Sequence, residues 1–141
     1  MFKTIKYILE ANKFLLLPDR MRRIVFYSEG KNYWPIFKGL IDGILLQSEL
    51  DICYVSSGKD DPCFEYHDVR LKTFLIDDSY VRNWFFENMK ADILIMTMPD
   101  LNNYQVKRSK HPIHYIYVQH ALMSLHMAYQ KGAFDWFDTV F

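Results

Sequence analysis

The stretch Ile24 to Ser57, IVFYSEGKNYWPIFKGLIDGILLQSELDICYVSS, decides the fold. It opens on IVFYS, a short apolar run of strand-forming residues, and breaks at once into the turn-like Glu29-Gly30-Lys31-Asn32. Pro35 suits the first turn of a helix, where its missing N–H costs nothing, and Phe37, Leu40, Ile41, Ile44 and Leu45 follow at helical spacing. This predicts a helix over Trp34 to Ser48 with one buried face. A second strand is expected over Asp51 to Ser57, closed by Gly58 and the polar KDDP. Strand, helix, strand, with both strands almost wholly apolar, is the pattern of a parallel pair covered on both faces.

Further along, Leu71 to Ile76 reads as a third strand, and Ser79 as the cap of a helix running to about Lys90 with Val81, Trp84, Phe85 and Met89 as its apolar stripe. Asp92 to Met98 gives a fourth strand stopped by Pro99, and His114 to Val118 a fifth after the polar, basic segment Asp100 to Pro112. A helix from about Leu122 to Gln130 ends near Gly132, and Thr139 begins a sixth strand. The alternation predicts an α/β, Rossmann-like parallel sheet with helices on both faces. Asp138 to Phe141 begin an apolar run with no cap or polar tail to close it, so the domain over 24–141 reads as incomplete at its carboxyl end.

At 141 residues, half of them hydrophobic and 17 percent aromatic, the chain suits one globular domain with a real core. Seventeen basic residues balance seventeen acidic ones, so no global field favours nucleic acid and any anion site must be local. Cys53 and Cys63 lack CxxC spacing and follow no secretory signal, which reads as two reduced thiols. No apolar run reaches the roughly 18 residues of a membrane-spanning helix. The leader over 1–23 nevertheless mixes Lys3, Lys6, Lys13, Arg20, Arg22 and Arg23 with Phe2, Ile5, Ile8, Leu9 and the run Phe14 to Leu17. Two readings suit it: an amphipathic basic helix at a membrane surface, or a first helix packed on the domain, ended by Pro18, with its basic cluster in solvent.

In open α/β sheets ligands bind beyond the carboxyl ends of the strands. Three segments are expected on that edge: Ser28 to Asn32 after the first strand, Met98-Pro99-Asp100 after the fourth, and Gln119-His120 after the fifth. The first loop lacks GxGxxG and GxxxxGK[ST], so neither a dinucleotide fingerprint nor a P-loop is present. Gly30 permits close backbone approach, and Glu29 or Asn32 can hold hydroxyls; a plain solvated turn fits the same residues. Four of the five histidines fall between positions 111 and 126, yet His111 and His114 enter the fifth strand while His120 and His126 lie at or past its far end, so no metal site is expected. His120 is placed to act as a general base, imidazole titrating near neutrality, and a histidine satisfied by backbone in a turn is the alternative. Lys107, Arg108 and Lys110 are candidates for meeting the phosphates of a polyanion, or else form a solvated basic loop. Tyr115, Tyr117, Trp136 and Phe137 read as core.

The runs IVFYSEGKNYWP from Ile24, CYVSSGKDDP from Cys53, ADILIMTMPDL from Ala91, KRSKHPIHYIYVQH from Lys107 and SLHMAYQKGAFDWFDTVF from Ser124 together resemble the amino-terminal half of the CDP-glycerol glycerophosphotransferase family, GT-B enzymes related to teichoic acid polymerases and primases. The resemblance implies a Rossmann-like domain facing a lipid-linked or polymeric glycerol phosphate acceptor. It also implies a second, carboxyl-terminal domain holding CDP-glycerol, to which nothing here corresponds; this domain itself is expected to bind no cofactor. His120 matches the family's base, with Glu29, Gly30, Asn32, Asp100, Ser124 and His126 as weaker candidates for the cleft. The family's Trp-His-Gly is here Gln119-His120-Ala121, a departure at both neighbours of the histidine. Expected surroundings are the cytoplasm, with peripheral attachment to the inner face of the plasma membrane. A non-catalytic α/β binding module, or half of another GT-B glycosyltransferase, shares the same architecture.

Overall fold

The computed structural model describes residues 2–98, 108–119 and 137–141. Six strands, β1 (Ile24–Ser28), β2 (Ile52–Ser56), β3 (Leu71–Leu75), β4 (Ile93–Met96), β5 (His114–Tyr117) and β6 (Thr139–Val140), form one sheet in the order β3-β2-β1-β4-β5-β6. Every pairing is parallel. The Rossmann-like α/β architecture expected from the alternation is therefore the fold of the protein.

Side chains alternate between the two faces of each strand, and the core divides accordingly. Phe26, Tyr54 and Ile95 face helix α2 (Trp34–Gln47), whose Trp34, Phe37, Ile41 and Leu45 cover them. Val25, Tyr27, Val55 and Met96 face the opposite layer, where α1 (Phe2–Leu15) lends Ala11 and Phe14 and α3 (Ser79–Asn88) lends Val81, Phe85 and Phe86. Phe14 meets Phe85 edge-on at 4.9 Å between centroids, and Tyr27 meets Phe86 at 4.8 Å, the edge-to-face geometry that suits the ring quadrupole. Among the described residues no helix is long and apolar enough to cross a membrane.

Several details differ from the sequence reading. Asp78, not Ser79, caps α3, its carboxylate accepting from the N–H groups of Tyr80 and Val81 at 3.0 Å. Phe86 is buried while Trp84 is 43% exposed, so the stripe of α3 is rotated toward Tyr27. Leu40 of α2 is exposed as well. Arg22, read with the basic leader, is 6% exposed: its guanidinium donates to Leu17 O at 2.9 Å and Lys90 O at 3.0 Å and pairs with Asp19. It fastens the segment between α1 and β1 to the end of α3. The helix expected over Leu122 to Gln130 lies outside the described residues.

Candidate functional site

Strand order reverses between β1 and β4, because β2 and β3 build outward from one side of β1 while β4, β5 and β6 build from the other. At such a switch point neighbouring loops part and leave a crevice at the carboxyl ends of the strands. The register places Ser28 beside Ser56, and Thr97, one residue past the Tyr27–Met96 pair, continues the same row on the α2 face. On the β5 side Val118 stands level with Thr97 and packs on the α2 face, and Gln119 follows it, its N–H donating to Phe141 O at 2.7 Å.

The hydroxyls of this row differ in what they do. Ser28 Oγ donates to Gly30 O at 2.8 Å and accepts from Gly30 N–H at 3.2 Å, folding the first loop back on its strand. Ser56 Oγ donates to Asp61 Oδ2 at 2.7 Å, and Asp61 Oδ1 accepts from Cys63 N–H at 3.0 Å. Asp61 is 2% exposed, a buried carboxylate that organises the β2 loop. Thr97, 1% exposed, has no hydrogen-bond partner for its hydroxyl among the described residues. The Tyr54 phenol beneath the row is buried without a well-formed hydrogen bond; burial pushes its pKa up, and the neighbouring Ser28 hydroxyl moderates the shift. On the other face Tyr27 and Ser57 share a hydrogen bond of 2.8 Å, and burial raises the Tyr27 pKa.

The loops after β1 and β2 are locked together. Ser57 N–H donates to Ser28 O at 3.0 Å, Lys31 pairs with Asp60 at 3.5 Å, and a Cβ on Gly58 would lie 2.9 Å from Gly30 Cα. Gly30 itself is extended, with φ 168°, and a Cβ there would meet nothing within 4 Å. The contact between the two loops thus requires a glycine at position 58, while Gly30 has open space on its own Cβ side. Glu29 and Asn32 are exposed on this loop.

The expected site residues therefore divide. Glu29, Gly30 and Asn32 stand at the carboxyl edge with Gln119; Asp100, His120, Ser124 and His126, with Lys107, lie outside the described residues. Arg108 and Lys110 stand at the opposite edge, near the start of β5. Arg108 pairs with Asp138 at 3.2 Å and lies over the Tyr115 ring at 4.7 Å, and Lys110 N–H donates to Glu87 O. Any polyanion contact they make is away from the strand-end crevice. Sequence reasoning passed over Ser56, Asp61 and Thr97; the signal for Thr97 was one hydroxyl at the end of an otherwise apolar run. Among the described residues no group of three His, Cys, Asp or Glu side chains is placed to hold a metal ion. Comparison with protein-family models, curated proteins and solved structures returns no match to this chain.

Proposed function

We propose that this chain is the acceptor-side domain of a CDP-glycerol:acceptor glycerophosphotransferase that builds a teichoic acid-type polymer of the cell envelope. The observation that supports the reading is the adjacency of β1, β4 and β5, which sets the carboxyl ends of the three strands belonging to the family-like runs side by side around the switch point. The residue before His120 is held on that edge by its bond to Phe141.

In this reading His120 takes the proton of an acceptor glycerol hydroxyl. The oxygen attacks the β-phosphate of CDP-glycerol, the phosphoanhydride bond breaks and CMP leaves. Glu29, Asn32 and Asp100 hold hydroxyls of the acceptor, with Ser124 and His126 in lesser roles, and a carboxyl-terminal domain supplies the donor pocket. The acceptor is a lipid-linked or polymeric glycerol phosphate, and the work is done in the cytoplasm at the inner face of the plasma membrane. The chain joined to a donor domain is expected to release CMP from CDP-glycerol in the presence of such an acceptor. His120→Ala should lower that rate by about 10²–10⁴, the usual worth of a positioned general base; a variant as fast as the wild type would remove His120 from the role.

A further inference from the structure

Helix α1 has two apolar faces. Ala11 and Phe14 are fully buried against α3 and β3. At 3.6 residues per turn, Phe2, Ile5 and Leu9 fall together on the opposite side within about 60° of arc. Leu16 extends the row, its N–H still bonded to Asn12 O. These side chains are 84%, 49%, 57% and 83% exposed. A helix that only packs on its domain shows one such stripe.

The rims of this second stripe carry the chemistry of an interface. Lys6 and Lys13 border it on one side, with Lys3 behind them, all exposed. Glu10, the one acid of α1, pairs with Lys13 at 3.2 Å and lies near the N–H of Leu75 at 3.4 Å, toward the sheet edge. On the other side an apolar groove lined by Thr4, Ile8, Tyr80, Val81 and Trp84 joins α1 to α3, and Tyr80 is 87% exposed. Of the two acids preceding α3, Asp78 is turned inward, capping the helix and accepting from Thr4 Oγ1 at 3.3 Å, and Asp77 is exposed.

We infer that the outward face of α1, together with Tyr80 and Trp84 of α3, docks on an anionic lipid bilayer at headgroup depth. Large apolar side chains enter the acyl boundary, lysines snorkel to lipid phosphates, and Tyr and Trp rings settle where one end is apolar and the other wet. A second copy of the chain fits less well, since a symmetric contact would set the lysine row against the same lysine row, and the one acid beside it, Glu10, is already paired with Lys13. The inference names the surface that would meet the membrane face given in the transferase reading, and it stands on residues with no part in the transfer, so vesicle binding and CMP release can fail separately.

The test is sedimentation of the 141-residue chain with mixed phosphatidylglycerol–phosphatidylcholine vesicles and with phosphatidylcholine vesicles. Sedimentation with the anionic vesicles is expected, with a blue shift of tryptophan emission that disappears in Trp84→Phe. Lys6→Gln and Lys13→Gln should each weaken binding about fivefold, the usual contribution of one basic residue near an anionic surface. Ile5→Glu combined with Leu9→Glu should abolish binding at an unchanged thermal midpoint. If that double variant unfolds, the two lysine variants decide. Equal binding to both vesicle types, unchanged binding of the glutamate variant, or a chain that ignores both vesicles overturns the inference. So does self-association that the glutamate variant abolishes in the absence of vesicle binding.

Discussion

Gly58 and Gly30 occupy neighbouring loops, and only one of them needs to lack a side chain. A methyl at position 58 would press on the Gly30 backbone at 2.9 Å, where no flexible group can yield, whereas a methyl at position 30 enters open space from an extended conformation. Gly58→Ala should therefore destabilise the protein by about 1–3 kcal/mol, the range for overpacking a close contact. Gly30→Ala should leave stability within about 0.5 kcal/mol. Denaturant melts of the two variants check this; equal losses would mean that the loops can separate freely. Arg22 shows the same dependence on surroundings. In sequence it is one of six basic residues of the leader, while in the fold its guanidinium is enclosed by main-chain oxygens that a reading of sequence cannot see.

Among the elements, β5 and β6 are held by side-chain chemistry as well as by their short ladder. Asp138 accepts the Tyr115 N–H at 2.8 Å and pairs with Arg108, and His114 Nε2 shares a hydrogen bond of 2.7 Å with Thr139. The Tyr115 N–H, then the Arg108 charge, hold the Asp138 carboxyl below its ordinary range. The folded state thus prefers the carboxylate more strongly than the unfolded chain does. This contribution is in full above the unfolded pKa near about 3.9 and is lost as pH falls through the lower folded value. Asp138→Asn should lower the thermal midpoint at neutral pH, with the gap to wild type narrowing as the pH drops below about 4. A gap that stays constant across that range would assign the effect to packing. The elements themselves were legible because apolar runs bounded by Gly, Pro and Asp are strands under almost any packing; β1 falls at Ile24–Ser28 as read. The orientation of α3 was not legible. Trp84 and Phe86 flank the same stripe, and the choice between them depends on Tyr27, which lies far off in sequence. The site divides in the same way. Its loops follow from the ends of the strands, but the Ser28–Ser56–Thr97 row needs the register across three strands, which no local pattern encodes.

Across the whole molecule, both thiols are sealed in the core on opposite faces of the sheet. Cys53 belongs to the α1–α3 side, where burial pushes its pKa up to about 12; Cys63 belongs to the α2 side and is raised by burial and by Asp61. Against its ordinary value of 9.0, this lowers the thiolate fraction of Cys53 by about three orders of magnitude. Native protein at pH 8 should resist a disulfide reagent at both positions, and two thiols should react once denaturant is added. Rapid native labelling of either would show that its layer opens without global unfolding. Strand order has a further consequence, for the time during which the chain is made. β1 is apolar on both faces and pairs on both edges, yet its second partner, β4, is encoded roughly 65 residues downstream. At about 5–20 residues per second of synthesis, one side of the central strand waits several seconds for its neighbour. During that interval the nascent chain presents an open, hydrophobic seam to whatever meets it outside the ribosome.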